Sequence, residues 1–165
     1  MRSDIHWIDG NSKGRLAIMA RPRSGDWLED EIVGWKQAGI DTVVCLLERD
    51  ETIELGLQDE AALCHRHAMK FIAFPIVDRG VPDSMRDTQV LAQDLASNVE
   101  GGEAAAVHCR AGIGRSSLIA ACALVCMGRD VDAAFSMIAK ARGLPVPDTE
   151  VQREWVAAFQ TALAG

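Results

Sequence analysis

Residues 104–127 read AAAVHCRAGIGRSSLIAACALVCM, and this stretch decides the fold. The apolar run 104–107 has the length of a short buried strand, and residues 116–127 are good helix formers without a breaker. Between them Cys109 and Arg115 stand six positions apart around Gly112 and Gly114. The five intervening residues, Arg110, Ala111, Gly112, Ile113 and Gly114, can curl into a ring. The backbone N–H groups of Arg110 to Arg115 then point inward as an anion nest, and the start of the next helix adds its positive dipole end. The two glycines permit the dihedrals that such a ring needs. A tetrahedral oxyanion would meet the Cys109 sulfur below and the planar fork of Arg115 alongside, a bidentate grip that lysine does not offer. The same amides and helix end favour the thiolate over the thiol. Ser116 is placed to donate a hydrogen bond to that sulfur. The competing reading is an ordinary glycine-containing turn with a buried cysteine; a strand before the loop and a helix after it favour the nest.

Working outward, strand and helix patterns alternate. Strands are expected over residues 15–20, 42–47 and 70–76, the second from its β-branched apolar run TVVCLL. Asp26 is expected to cap a helix reaching about Gln37 and closed by Gly39. Residues 51–69 read as two short helices broken near Gly56. Ser84 caps a helix to about Val99 with Leu91, Leu95 and Val99 on one stripe. After the central strand and helix come residues 131–141, striped by Val131, Phe135 and Ile138, and 148–163, striped by Val151, Trp155, Phe159 and Leu163. Strands separated by helices imply one α/β domain over residues 1–165, a mostly parallel sheet flanked by helices on both faces. In such a sheet the functional site lies at the carboxyl ends of the strands, where Cys109 falls.

The segment HCRAGIGRS resembles the HCxxGxxRS signature of the cysteine-based protein tyrosine phosphatases, in particular the small dual-specificity type. The resemblance implies nucleophilic catalysis by Cys109, with Arg115 and the loop amides holding the phosphoryl oxygens. It also implies a general acid on a separate loop. FPIVDRGVPD, residues 74–83, resembles that acid loop, where an aspartate is followed four residues later by proline; here these are Asp78 and Pro82. Asp83 is the alternate acid, and it can instead cap the next helix. Gln152 falls where some relatives place a glutamine that positions the attacking water, and it reads equally as an exposed helix residue. The family uses the position of His108 to brace the loop, with its side chain turned away from phosphate. The implied activity is hydrolysis of phosphate monoesters through a phosphocysteine, on phosphorylated protein or peptide, with no metal or other cofactor. A non-catalytic phosphate-recognition module and a phosphatase of lipid or glucan phosphate stay open as alternatives.

Composition narrows the setting. The chain has 165 residues, 48% of them hydrophobic, enough for one sizeable core. A net charge of −7 and the lack of a basic block speak against nucleic acid or an anionic membrane as partner. Arg49, Arg79 and Arg110 read as solvated surface arginines that add local positive potential if they lie near the loop. The five cysteines, Cys45, Cys64, Cys109, Cys122 and Cys126, are odd in number and lack CxxC spacing, which fits a reducing, cytoplasmic setting. Cys122 and Cys126 read as core residues; whether Cys45 reaches Cys109 as a disulfide partner is open at this level. The four histidines form no metal set in sequence, and His65 and His67 face different ways on a helix. The opening MRSDIHWIDGNSKG has no signal-type apolar core, and the longest apolar run, Leu118 to Met127, is too short to span a bilayer. A monomer is expected.

Overall fold

The computed structural model describes residues 4–10 and 12–165. Its centre is the strand–loop–helix unit: β5 (Ala104–His108), the loop, and α5 (Arg115–Cys126). Four further strands flank β5: β1 (Ile5–Ile8), β2 (Arg15–Met19), β3 (Thr42–Cys45) and β4 (Lys70–Ala73), in the spatial order β1-β2-β5-β3-β4. β2, β5, β3 and β4 run parallel, and β1 adds an antiparallel edge. That edge strand was not foreseen, because IHWI is too short and too mixed in polarity to announce itself.

Helices cover both faces, as the alternation of side chains along the strands requires. Leu16 and Ile18 of β2, Val44 of β3, and Ala105 and Val107 of β5 face a core shared with α4 (Met85–Glu100), α5, α6 (Val131–Arg142) and α7 (Glu150–Ala164). Ala17, Met19, Val43, Cys45 and Ala106 face the other way, toward α1 (Leu28–Gln37) and α3 (Glu60–Arg66). α5 is buried along almost its whole length, which explains why its sequence is apolar all round rather than striped.

Ser84 caps α4, accepting from the Asp87 N–H at 3.0 Å, so Asp83 is not the cap. The expected break near Gly56, at φ +69°, separates α2 (Arg49–Glu54) from α3. Two expectations need correction. Asp26 lies inside a 3-10 turn, Gly25–Trp27, and α1 begins after it without a side-chain cap. Val151 is 61% exposed; the buried face of α7 runs through Gln152, Val156 and Phe159, with Trp155 and Leu163 of the expected stripe partly buried against the same core. No helix of the described residues is long and apolar enough to cross a membrane.

Candidate active site

The loop after β5 is held from outside by its carbonyls. Arg110 O accepts from the Arg21 N–H at 3.2 Å, Ala111 O from Arg142 Nη2 at 3.3 Å, and Gly112 O from Arg142 Nε at 2.9 Å. In a trans peptide C=O and N–H point opposite ways, so the amides of Ala111, Gly112 and Ile113 are turned away from those partners, toward the inside of the loop. Gly112 has φ +70°, and a Cβ there would stand 2.6 Å from the Met19 carbonyl carbon. Gly114 has ordinary right-handed dihedrals, φ −86° and ψ −73°. Its need is space, since a Cβ would meet Asp148 Oδ2 at 2.5 Å and Gln152 Nε2 at 3.0 Å. Positive φ and close approach together therefore account for the first glycine, and close approach alone for the second.

Cys109 is buried at the end of β5, with its Sγ 3.3 Å from Ser116 Oγ in the first turn of α5. Arg115, also buried, donates through Nη1 to Glu51 Oε1 at 2.6 Å and to Ile76 O at 2.9 Å, and through Nη2 to Glu51 Oε2 at 3.1 Å. Asp78 Oδ1 lies 3.1 Å from the same Nη2. Burial opposes charge on both members of the Arg115–Glu51 pair, yet their mutual hydrogen bonds and attraction win, holding Glu51 below and Arg115 above their ordinary values. Glu51 in turn closes a capping box at the start of α2, its Oε1 accepting from the Glu48 N–H at 3.0 Å.

Asp78 sits in an exposed turn in which the Gly80 N–H donates to Val77 O at 2.8 Å. Arg79, next in the turn, takes φ +61°, a left-handed conformation costly for a side chain with a Cβ. The turn is tied to α7 by Gln152, which is wholly buried and so not the exposed helix residue considered above. Its Nε2 donates to Gly80 O at 3.1 Å, while Oε1 accepts from Asp148 N at 3.1 Å and Thr149 N at 3.2 Å. Arg110 ion-pairs loosely with Glu51 and Glu54, at 3.9 and 3.8 Å, while Arg49 and Arg79 are exposed.

His108 leaves the sheet on the face opposite to Cys109. Its Nε2 lies 2.6 Å from Glu60 Oε2, both groups buried, and its Nδ1 lies 3.3 Å from the Cys109 carbonyl, to which it donates. Burial works against a charged imidazole, but the Glu60 carboxylate and the Cys45 sulfur outweigh it and raise its pKa well above the ordinary value. Cys45 pairs with His108 in register and packs on that same far face, so the sheet stands between it and Cys109 and the disulfide left open above is excluded. Sequence reasoning missed Glu51, Glu60 and Arg142. A buried arginine demands a carboxylate partner, but only the fold shows which of 24 acidic residues supplies it.

The family model described as "Swiss Army Knife protein, DSP-PTPase phosphatase domain" (PTP-SAK) matches residues 3–156. The chain belongs to that family. Cyclin-dependent kinase inhibitor 3 of Sus scrofa is 27% identical over 131 residues, 78% of this chain and 61% of that protein. The PTP-SAK chain thus spans about three-fifths of the length of that relative. Among solved structures, kinase associated phosphatase with its catalytic-site cysteine substituted by serine superposes with TM-score 0.89 at 21% identity, covering 100% of this chain and 98% of that one. PTPMT1 in complex with PI(5)P gives 0.77 at 22% identity, covering 98% and 99%. At these identities the structural likeness carries the fold, and the PTP-SAK match carries the family.

Proposed function

We propose that residues 1–165 form a single catalytic domain that hydrolyses phosphate monoesters on phosphorylated proteins. The Cys109 thiolate attacks phosphorus in line, the inward amides and Arg115 hold the three equatorial oxygens, and Asp78 protonates the departing oxygen as the P–O bond breaks. Water then attacks the phosphocysteine, Asp78 takes its proton, and Ser116 supports the sulfur as it leaves. The nest and Arg115 provide at phosphorus the positive field that a metal supplies in other phosphatases. Glu51 aims the arginine fork, His108 braces the loop, and Gln152 holds the acid turn.

What supports this reading above all is the convergence of Cys109, the Glu51-held fork of Arg115, and Asp78 at 3.1 Å from that fork, on two separate loops at the carboxyl ends of β5 and β4. A pure recognition module has no use for a nucleophile and an acid brought to one arginine. The net charge of −7 favours a phosphoprotein over an anionic lipid surface, and the free thiols fit a reducing, cytoplasmic compartment.

The test is phosphate release from phosphotyrosyl peptides, phosphothreonyl peptides and a phosphoinositide dispersion, with Cys109→Ser as control. Turnover of a peptide that vanishes in Cys109→Ser is the expected result. Turnover confined to the phosphoinositide would overturn the substrate class, and binding without any turnover would make the domain a recognition module.

A further inference from the structure

The far face of the sheet carries a set of donors that the phosphoryl chemistry leaves unused. Cys45 and His108 are direct partners across β3 and β5, so their side chains leave the sheet side by side. From the layer above, α3 brings Glu60 and, one turn later on the same helix face, Cys64. The sulfur of Cys45, a carboxylate oxygen of Glu60 and a ring nitrogen of His108 all lie within 4.8 Å of one another, and all three residues are buried. Cys64 is wholly buried in the same cluster as Cys45, its sulfur outside that group. Neighbours on a ladder and a helix residue packed above them form a frame for three converging ligands. This frame is assembled from three elements distant in sequence, and so no motif announces it.

We propose that Cys45, Glu60 and His108 form a three-ligand zinc site behind the phosphate-binding loop, its fourth position open to the adjoining cavity. A thiol, an imidazole and a carboxylate are a donor set for Zn²⁺ rather than for Mg²⁺ or Ca²⁺, which prefer oxygen. An entry path exists: a cavity of about 380 Å³, walled by Leu47, Leu57, Phe71 and Pro75, has Cys45 and Glu60 in its lining. Zinc bond lengths set ligand atoms about 3.3 Å apart, so the 2.6 Å contact between Glu60 and His108 opens by roughly 0.7 Å as the ion enters. The ion takes the place of the proton on His108 Nε2, and the Cys45 thiol releases its own. Nδ1–H keeps its bond to the Cys109 carbonyl. Zinc at this site therefore anchors the residue before the nucleophile to β3 and α3; it stands across the sheet from the phosphoryl pocket and takes no part in the reaction.

The experiment uses the full chain carrying Cys109→Ser, so that the catalytic thiolate is not a ligand. Co²⁺ is titrated as a spectroscopic stand-in and then displaced by Zn²⁺. One equivalent of Co²⁺ with tetrahedral visible bands and a strong thiolate-to-cobalt band is expected, and Zn²⁺ should abolish both and raise the melting temperature. Adding Cys45→Ser should abolish the thiolate band and weaken affinity by roughly tenfold or more, whereas adding Cys64→Ser should leave the band in place. The absence of a thiolate band in the parent protein would overturn the proposal, as would a band unchanged in Cys45→Ser of native circular dichroism. Should a variant fail to fold, the melting temperature of the Cys109→Ser protein with and without Zn²⁺ decides, and no shift counts against the site.

Discussion

Glu51 holds both arms of the Arg115 guanidinium, at 2.6 and 3.1 Å, and so fixes which edge of the fork is left to face a phosphoryl group. Both side chains are largely buried, which separates this pair from an exposed one such as Arg66–Glu29. Exposed pairs contribute about 0–1 kcal/mol, whereas breaking a buried pair costs roughly 3–5 kcal/mol because a charge is stranded.

Replacing Glu51 with glutamine therefore should lower kcat/KM by roughly a hundredfold, the scale seen when a preorganised oxyanion donor is lost. Steady-state kinetics on a soluble aryl phosphate check it. Activity within twofold of wild type would show that Arg115 is aimed without Glu51.

The same pair sets an acid limit. Arg115 and the Glu48 amide outweigh burial and keep the Glu51 pKa below its ordinary 4.5. A carboxylate with a depressed folded pKa contributes stability above its unfolded pKa and loses it as pH falls through the folded one. The stability difference between wild type and Glu51→Gln should accordingly be full at neutral pH and shrink below about pH 4.5. Urea melts across that range measure it, and a difference independent of pH would contradict the pairing.

Gly112 and Gly114 should respond differently to alanine. At Gly112 the new Cβ meets the backbone of Met19 and Ala20 at 2.6 to 2.8 Å, with φ +70° in addition. Neither side can yield, so Gly112→Ala should cost at least about 2 kcal/mol, roughly 4–8 °C in melting temperature. At Gly114 the obstacles are the side-chain ends of Asp148 and Gln152, which can shift, so the cost should stay near about 1 kcal/mol. The reverse order in thermal melts would mean that the loop is built otherwise.

Gln152 joins two jobs that glutamate can separate. Gln152→Glu keeps the oxygen that accepts from Asp148 and Thr149 but has no N–H for Gly80 O. Gln152→Ala loses both. Both variants should lower kcat and both should lose stability, alanine about 1–2 kcal/mol through the broken cap and glutamate through a buried carboxylate oxygen set against Gly80 O. Unimpaired kcat in Gln152→Glu would remove the tie to the acid turn from the account.

The central unit was legible because its chemistry is local: an apolar strand, a loop between Cys109 and Arg115, and a helix lie within 24 consecutive residues. Parallel strands joined by helices followed from alternation alone. The rest depended on long-range placement. Glu51 is 64 residues from Arg115 and Glu60 is 48 from His108, and neither carries a spacing signal. Edge strand β1 was hidden by its shortness, and the burial of Gln152 on α7 by its contact with Gly80, 72 residues away. Gln152 shows the same limit from another side, since a buried glutamine between two loops has the sequence of an exposed helix residue.

The most direct measurement is p-nitrophenyl phosphate hydrolysis by the reduced chain, its Cys109→Ser variant and its Asp78→Asn variant. The account predicts turnover in wild type, none in Cys109→Ser, and a loss of roughly 10²- to 10⁴-fold in kcat for Asp78→Asn on substrates with poor leaving groups, smaller on p-nitrophenolate, which departs without a proton. Equal turnover by wild type and Cys109→Ser would contradict the thiolate mechanism outright.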